Sequence, residues 1–116
     1  MTVRRVVPNI PCQDMQRSRE FYGLLGMEEV MDQGWIMTMG SLEHPQAQVS
    51  FFTEELTGPV IPDVSVEVSD VDATYQVVRA AGAEVVYPLT DEEWGVRRFF
   101  VRDPNGRVVN VLSHRR

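Results

Sequence analysis

The chain has 116 residues and carries seventeen acidic against eleven basic side chains, which gives a formal net charge of −6. This length suits one domain or two small modules that share a core, and the 43% hydrophobic and 24% charged residues are typical of a globular protein. All eleven bases are arginine, which excludes lysine-dependent Schiff-base, pyridoxal and phosphate-loop chemistry. The acidic balance disfavours nucleic acid as a partner, and no apolar run is long enough to span a membrane. The single cysteine, Cys12, excludes an internal disulfide and predicts a cytoplasmic setting.

The first half of the chain predicts a strand, a helix and three further strands. Pro8 and Pro11 indicate that the first strand is either at a sheet edge or distorted. Asp14 suits a helix N-cap, because its carboxylate can accept free backbone N–H groups, and Gly26 suits the left-handed position that ends the helix. An apolar helix face is predicted at positions 15, 18, 21, 22 and 25. Strands are then predicted at 28–32, 35–40 and 47–53.

The second half repeats this order of elements. Residues 63–68 alternate, with three valines on one face and Asp63, Ser65 and Glu67 on the other, which predicts a strand with one face against a helix. Asp70 and Gly82 then enclose the predicted helix. Strands are predicted at 84–87, 97–102 and 108–113, and residues 103–106 are predicted to form the last hairpin turn.

The two helices are related by a constant offset. Asp14 and Asp70 are 56 residues apart, as are Gly26 and Gly82, and the apolar positions between them keep this offset without a gap. The pattern indicates two βαβββ modules, residues 1–57 and 63–116, joined by a linker at 58–62. One such module has too small a core to be stable alone, so the two are predicted to form a single α+β domain.

The repeat and two motifs resemble the vicinal oxygen chelate superfamily, which includes glyoxalases, bleomycin-resistance proteins and extradiol dioxygenases. The first motif lies in the first helix and consists of Asp14, Ser18, Phe21, Tyr22, Leu25 and Gly26. The second lies in the last hairpin and consists of Trp94, Gly95, Arg97, Phe99, Asp103, Pro104 and Gly106. The resemblance implies that the two modules form a curved mixed sheet around a cleft, and that the cleft carries the function.

The resemblance also indicates where a metal would bind. Metal-using members take one His, Gln or Glu ligand from the first and last strand of each module, and these positions correspond here to Val7, Asp63, Ser50 and Asn110. Valine cannot bind a metal, and serine and asparagine are weak ligands for zinc, iron or nickel. The histidines lie in a loop and near the C-terminus. We therefore expect no metal or other cofactor; the alternative is one divalent ion held by Asp63, Asn110 and a histidine brought in by a loop or a partner chain.

Strand alternation predicts a set of ligand-binding residues on the cleft face. Trp35 and Trp94 could equally be core or interface residues, Met37 could fill the core, the two carboxylates could be solvated, and Arg98 could pair with Glu92 or Glu93. The predicted set combines aromatic, thioether, amide, hydroxyl and charged groups: Asn9, Trp35, Met37, Ser50, Phe52, Asp63, Ser65, Glu67, Trp94, Arg98, Phe100 and Asn110.

This set suits a flat, partly cationic aromatic compound, because rings can stack and carboxylates can hold the charge. The leading hypothesis is a homodimeric small-molecule-binding protein that resembles bleomycin-resistance proteins and has no catalytic residues. A metal-dependent lyase or oxygenase of the glyoxalase or dioxygenase type is the alternative, with a metal-free enzyme that uses Asp63 or Glu67 as general base as a variant. A third hypothesis is an accessory module with a vestigial cleft.

Overall fold

The computed structural model describes residues 2–115, which contain two helices and eight strands. In chain order the elements are β1 (Val3–Pro11), α1 (Met15–Leu24), β2 (Glu28–Asp32), β3 (Ile36–Gly40), β4 (Gln48–Phe52), β5 (Val64–Val68), α2 (Val71–Ala80), β6 (Val85–Asp91), β7 (Val96–Arg102) and β8 (Val108–His114). The strands form one mixed sheet with the order β2-β3-β4-β1-β5-β8-β7-β6. The predicted α+β fold with a repeated βαβββ pattern is confirmed.

The chain divides into two compact units. The first-half unit is Val7–Ile61, and the second-half unit combines Met1–Val6 with Pro62–Arg116. Strand β1 contributes to both: Arg5 Nε donates a hydrogen bond to Glu67 Oε1 at 2.7 Å, whereas Asn9–Pro11 pairs in parallel with β4. Because β1 has a neighbouring strand on each side, the expectation of an edge strand is wrong.

The two helices begin and end at equivalent positions, as the repeat predicts. The Asp14 side chain accepts a hydrogen bond from Arg17 N at 3.1 Å, and Asp70 caps α2 in the same way at 3.0 Å. Gly26 and Gly82 follow the two helices with φ angles of 95° and 79°, which glycine adopts without steric cost. The N-caps and the terminating glycines predicted from the sequence are confirmed.

Each helix packs on one face of its own unit's sheet. In the first-half unit, Met15 and Tyr22 of α1 cover a core of Met37, Met39, Val49 and Phe51. In the second-half unit, Tyr75 and Val78 of α2 cover Val68, Phe99, Val101 and Val111. The alternation along each strand turns the intervening residues to the opposite face. In each unit that opposite face, which we call the helix-free face of the unit, carries the polar residues of the candidate site.

The predicted apolar stripe of the helices is partly wrong. Phe21 and Leu25 of the first helix segment are 57% and 65% exposed, and Val77, the counterpart of Phe21, is also exposed. Tyr22 faces the sheet, and at 3.6 residues per turn Phe21 and Leu25 lie about 100° and 60° away from it around the axis. A spacing of three and four residues therefore placed side chains that face the sheet and side chains that lie to one side of it in the same predicted stripe.

The second-half unit also differs from prediction in its first hairpin. Strand β6 continues to Asp91 instead of ending at residue 87, and β7 begins at Val96. The turn at 103–106 is confirmed: the Asp103 carboxylate accepts N–H bonds from Arg107 and Asn105 at 2.9 and 2.8 Å. The backbone hydrogen bond from Arg107 is the main reason that the pKa of Asp103 lies below its usual range. Neither described helix has the length and apolar character that a membrane span requires.

Candidate functional site

The first-half unit carries a buried polar cluster on its helix-free face. Asn9 of β1 lies directly opposite Ser50 of β4, and Ser50 lies opposite Thr38 of β3. The Thr38 and Ser50 hydroxyl oxygens are 2.8 Å apart and share a hydrogen bond. All three side chains are buried. Because a buried hydroxyl or amide is costly without partners, this cluster is a specific feature of the sheet and not a solvated surface.

Aromatic side chains continue this face beyond the cluster. Phe52 is buried, and its ring centroid lies 5.6 Å from that of Trp35 in an edge-to-face contact. Met37 is different: it is fully buried in the core covered by α1. The prediction that Met37 shares a face with Asn9 and Ser50 is therefore wrong. Side chains alternate between residues 36 and 40, so Thr38 lies on the helix-free face. The two methionines that flank it lie on the face covered by α1.

The second-half unit has a corresponding polar pair. Ser65 of β5 lies directly opposite Asn110 of β8, and the Asn110 Nδ2 group donates a hydrogen bond to Ser65 Oγ at 3.1 Å. Asn9 and Ser65 are again 56 residues apart, so each unit places an amide and a hydroxyl across its parallel strand pair. In both units the residue from the last strand is one that the sequence predicted to contact a ligand.

One atom of this pair has no partner in the described part of the chain. Asn110 is only 7% exposed, yet its Oδ1 atom accepts no hydrogen bond there. A buried amide oxygen without a partner costs about 1–3 kcal/mol, and such atoms are normally satisfied by water or by a ligand. Phe100 lies opposite Asn110 on β7 and is fully buried beside it. The Asn110 amide oxygen without a partner thus lies next to an aromatic ring.

A buried ion pair borders this position. Arg98 Nε and Glu92 Oε2 are 2.6 Å apart, and both side chains are less than 5% exposed. The guanidinium carbon of Arg98 lies 4.8, 5.1 and 5.4 Å from the ring centroids of Phe100, Trp94 and Tyr87. Of the two roles considered for Arg98, pairing with Glu92 or Glu93 and binding a ligand, the structure shows pairing with Glu92. The rings of Phe100, Trp94 and Tyr87 surround the Arg98 charge.

Sequence reasoning did not place Glu92 or Tyr87 in the site. The hydroxyl of Tyr87 lies 3.3 Å from both carboxylate oxygens of Glu92, and Tyr87 is paired with Phe100 across β6 and β7. The available signal was cross-strand pairing: a hairpin that extends to Asp91 brings Tyr87 opposite Phe100. The shorter strand predicted at 84–87 obscured this pairing.

Glu67 is engaged by two basic groups. Its Oε1 accepts from Arg5 Nε at 2.7 Å, and its Oε2 lies 2.8 Å from His114 Nδ1. Partial burial acts to raise the pKa of Glu67, but the hydrogen bonds with His114 and Arg5 outweigh burial and hold the pKa below its usual value. Both oxygens of this carboxylate are therefore engaged by the protein itself.

Asp63 is also engaged within the second-half unit. Its Oδ2 accepts a hydrogen bond from Val108 N at 2.8 Å, and Oδ1 lies 3.8 Å from Arg107. Asp63 precedes β5 and binds the start of β8. The carboxylates of Asp63, Glu67 and Glu92 are thus all paired with protein groups.

The strand positions expected to hold a metal, Val7, Asp63, Ser50 and Asn110, do not fit one. Asp63 alone offers a carboxylate, and its Oδ2 accepts a hydrogen bond from Val108 N. The facing residues of the first and last strands are Asn9 with Ser50 and Ser65 with Asn110, which offer amide and hydroxyl groups. Zinc, iron and nickel prefer imidazole, thiolate or carboxylate ligands. Among residues 2–115, no three His, Cys, Asp or Glu side chains are grouped closely enough to hold an ion. These side chains therefore do not provide the ligand set that zinc, iron or nickel prefers.

The family model that matches this chain covers nearly all of it. The model describes the Glyoxalase/Bleomycin resistance protein/Dioxygenase superfamily and matches residues 3–111. The chain belongs to this superfamily. The resemblance inferred from the two motifs and the repeat is confirmed.

Solved structures share the fold of this superfamily member at low sequence identity. A glyoxalase/bleomycin resistance protein/dioxygenase superfamily member from Vibrio splendidus 12B01 is 23% identical over 97% of this chain and 99% of its own, with a TM-score of 0.70. Methylmalonyl-CoA epimerase from Mycobacterium tuberculosis is 21% identical over 98% and 90%, with a TM-score of 0.69. An NAD-dependent benzaldehyde dehydrogenase from Legionella pneumophila is 15% identical over 95% and 99%, with a TM-score of 0.76. A search of curated proteins finds no match. These likenesses establish the fold alone.

Proposed function

We propose that the protein binds a small aromatic compound on the helix-free face without a metal ion and sequesters it, in the manner of bleomycin-resistance proteins. The observation that carries this proposal is the buried, unpartnered Oδ1 of Asn110 beside the ring of Phe100. An aromatic ligand with an N–H or O–H group can donate to this oxygen while its ring contacts an aromatic side chain.

The charge of the ligand is recognised differently from the sequence-based expectation. Carboxylates were expected to hold a cationic group, but Glu67 and Asp63 are paired with Arg5, His114, Arg107 and a backbone N–H. A neutral amide oxygen can still accept from a protonated amine. We therefore propose a ligand whose amine or hydroxyl group lies next to its ring, with the partly cationic character carried by the amine.

The alternative function, a metal-dependent lyase or oxygenase, has weaker support. It requires ligands that the facing residues Asn9, Ser50, Ser65 and Asn110 supply only as amides and hydroxyls. Partial burial acts to raise the pKa of Glu67, but the hydrogen bonds with His114 and Arg5 hold it below its usual value, which makes Glu67 a poor general base. Asp63 Oδ2 accepts a hydrogen bond from Val108 N.

Calorimetric titration of chelator-treated protein with a panel of aromatic amines and phenols tests the proposal. Asn110→Leu removes the Oδ1 acceptor together with the Nδ2 donor to Ser65 Oγ, so it is expected to abolish binding and to lower stability to the extent that Ser65 loses this partner. Asn105→Leu makes the same chemical change in the exposed 103–106 turn and is expected to bind as wild type does. Binding by no member of the panel, or equal binding by Asn110→Leu, would contradict the proposal.

We also propose that the protein acts as a homodimer in the cytoplasm. The dimer follows from the resemblance to bleomycin-resistance proteins, and the single cysteine, Cys12, is typical of a reducing compartment. Sedimentation velocity of the purified protein measures the oligomeric state directly, and a monomer at micromolar concentration would contradict the proposed dimer.

A further inference from the structure

A polar pocket lies at one end of the second-half unit, where β5 and β8 end and β1 begins. Its volume is about 340 Å³, at the lower end of the range found for small-molecule sites. The lining is polar apart from one valine and consists of Arg4, Glu67, Val68, Ser69, Ser113 and His114. The pocket does not include the Ser65–Asn110 pair, so a ligand bound there is independent of the function proposed for the helix-free face.

Arg4 contributes a positive charge that has no counterion in the described part of the chain. Within residues 2–115, Arg4 makes no ion pair or side-chain hydrogen bond. The adjacent arginine, Arg5, is bound to Glu67 at 2.7 Å. Six other arginines also form ion pairs: Arg19, Arg97, Arg98, Arg102, Arg107 and Arg115. Arg4 therefore lines the pocket without a carboxylate bound to it among these residues.

The acidic group in the pocket lining is already neutralised. Both oxygens of Glu67 are engaged, one by Arg5 at 2.7 Å and the other by His114 Nδ1 at 2.8 Å. Because Nδ1 of His114 faces Glu67, the second ring nitrogen, Nε2, remains for another partner. The pocket and its border therefore combine two arginines and a histidine with one carboxylate.

The hydroxyl groups complete the set of hydrogen-bond donors. Ser69 Oγ accepts from Thr2 N at 2.9 Å, which leaves its own proton to donate. Ser113 Oγ instead donates to Val68 O at 2.7 Å. Arg4 and Ser69 are thus donors that a bound group would meet, and Nε2 of His114 is a third donor in the imidazolium form, because Nδ1 faces Glu67. Guanidinium, imidazole and hydroxyl donors together are well suited to oxyanions.

We propose that this pocket binds a small molecule through an oxyanion group, with Arg4 as the principal donor and with Ser69 and the imidazolium form of His114 as additional ones. The group is a carboxylate, sulfate or phosphate, which present the same acceptor oxygens. Arg5 is a positioning residue, because it holds Glu67 and thereby orients His114.

The test is titration of the full-length protein with sodium sulfate and, separately, with sodium succinate, at an ionic strength held constant with chloride. Binding is followed by the amide NMR shifts of Ser69, Ser113 and His114. Arg4→Gln and Arg17→Gln are compared, because each removes one arginine charge and Arg17 lies on α1 outside the pocket. We expect saturable shifts at the three amides, about tenfold weaker binding in Arg4→Gln, and wild-type binding in Arg17→Gln.

The two anions distinguish the chemical source of the ligand. Binding of sulfate alone supports a tetrahedral oxyanion, and binding of succinate alone or of both supports a site that takes carboxylates. Non-saturable shifts with both anions, or equal weakening in the Arg4→Gln and Arg17→Gln variants, would overturn the proposal, since either result would mean a general response to charge. His114→Gln provides a second variant, which keeps one side-chain donor and is expected to weaken binding less than Arg4→Gln.

Discussion

The Arg98–Glu92 pair is the residue-scale feature with the largest expected effect on stability. Both side chains are almost fully buried at a separation of 2.6 Å, and three aromatic rings surround the guanidinium group. Burial of two charges is costly, so the pair contributes to stability only while both members are present. Removing one member leaves the other charged group in a low-dielectric environment.

Arg98→Met is therefore predicted to lower the free energy of unfolding by about 3–5 kcal/mol. Arg102→Met, on the same strand, removes an exposed arginine paired with an exposed Glu84 and should cost less than about 1 kcal/mol. The double variant Arg98→Met/Glu92→Gln keeps an acceptor for the Tyr87 hydroxyl and should recover much of the lost stability. Urea unfolding measures all three, and a small effect of Arg98→Met would show that the pair is not buried as described.

The lowered pKa of Glu67 predicts how the stability of the fold depends on pH. Its pKa is lowered in the folded protein from the usual value of 4.5, so its bonds to Arg5 and His114 stabilise the fold fully above about pH 4.5. The contribution is lost as the pH falls through the lower pKa of the folded state, because the carboxyl is then protonated in both states. The stability difference between wild type and Glu67→Gln should shrink on acidification below pH 4.5. A difference that grows on acidification would contradict the assignment.

At the scale of elements, the helices are the part of the fold that depends most directly on local sequence. Each begins at an aspartate whose side chain accepts a backbone N–H three residues later, and each is followed by a glycine with positive φ. These interactions lie within a few residues of one another. Because the capping aspartate and the terminating glycine recur 56 residues later, the two units have helices of equal length.

Asp70→Ala is predicted to destabilise the protein by about 1 kcal/mol, because Ala73 N loses its acceptor and the positive helix end loses a negative charge. Asp70→Asn is the matched control, since asparagine caps helices about as well as aspartate, and it should change stability by a few tenths of a kcal/mol only. Thermal unfolding of the two variants, side by side, provides the comparison. Equal destabilisation would mean that charge, not capping, is the dominant contribution.

Local signals in the sequence were sufficient for the caps, the turn at 103–106 and the alternating strands. Local signals were insufficient where the position of a side chain depends on how the strands pair. The place of Met37 in the core follows from the register of β3 against β4, and the role of Tyr87 follows from the length of β6. The prediction for Phe21 is wrong because residue spacing identifies an apolar side of α1 but does not determine how the helix is turned about its axis against the sheet.

At the scale of the whole molecule, the duplication extends from the helices to the helix-free face. Each unit places an amide opposite a hydroxyl across its parallel strands, Asn9 with Ser50 and Ser65 with Asn110. The ligand-binding residues named from the sequence that occupy this face include these four, Phe52 and Phe100. Strand alternation predicted which face of the sheet these side chains occupy. The hydrogen-bond and ion-pair partners of Asp63, Glu67 and Arg98 could be identified only in the folded chain.

The central claim is that recognition on this face relies on amide, hydroxyl and aromatic groups and needs no metal. It is tested most directly by elemental analysis of untagged protein, combined with ligand titration before and after treatment with a chelator. We predict substoichiometric zinc, iron, nickel and manganese, and an affinity that the chelator does not change. One transition-metal ion per chain, with loss of ligand binding on its removal and recovery on its return, would contradict the claim.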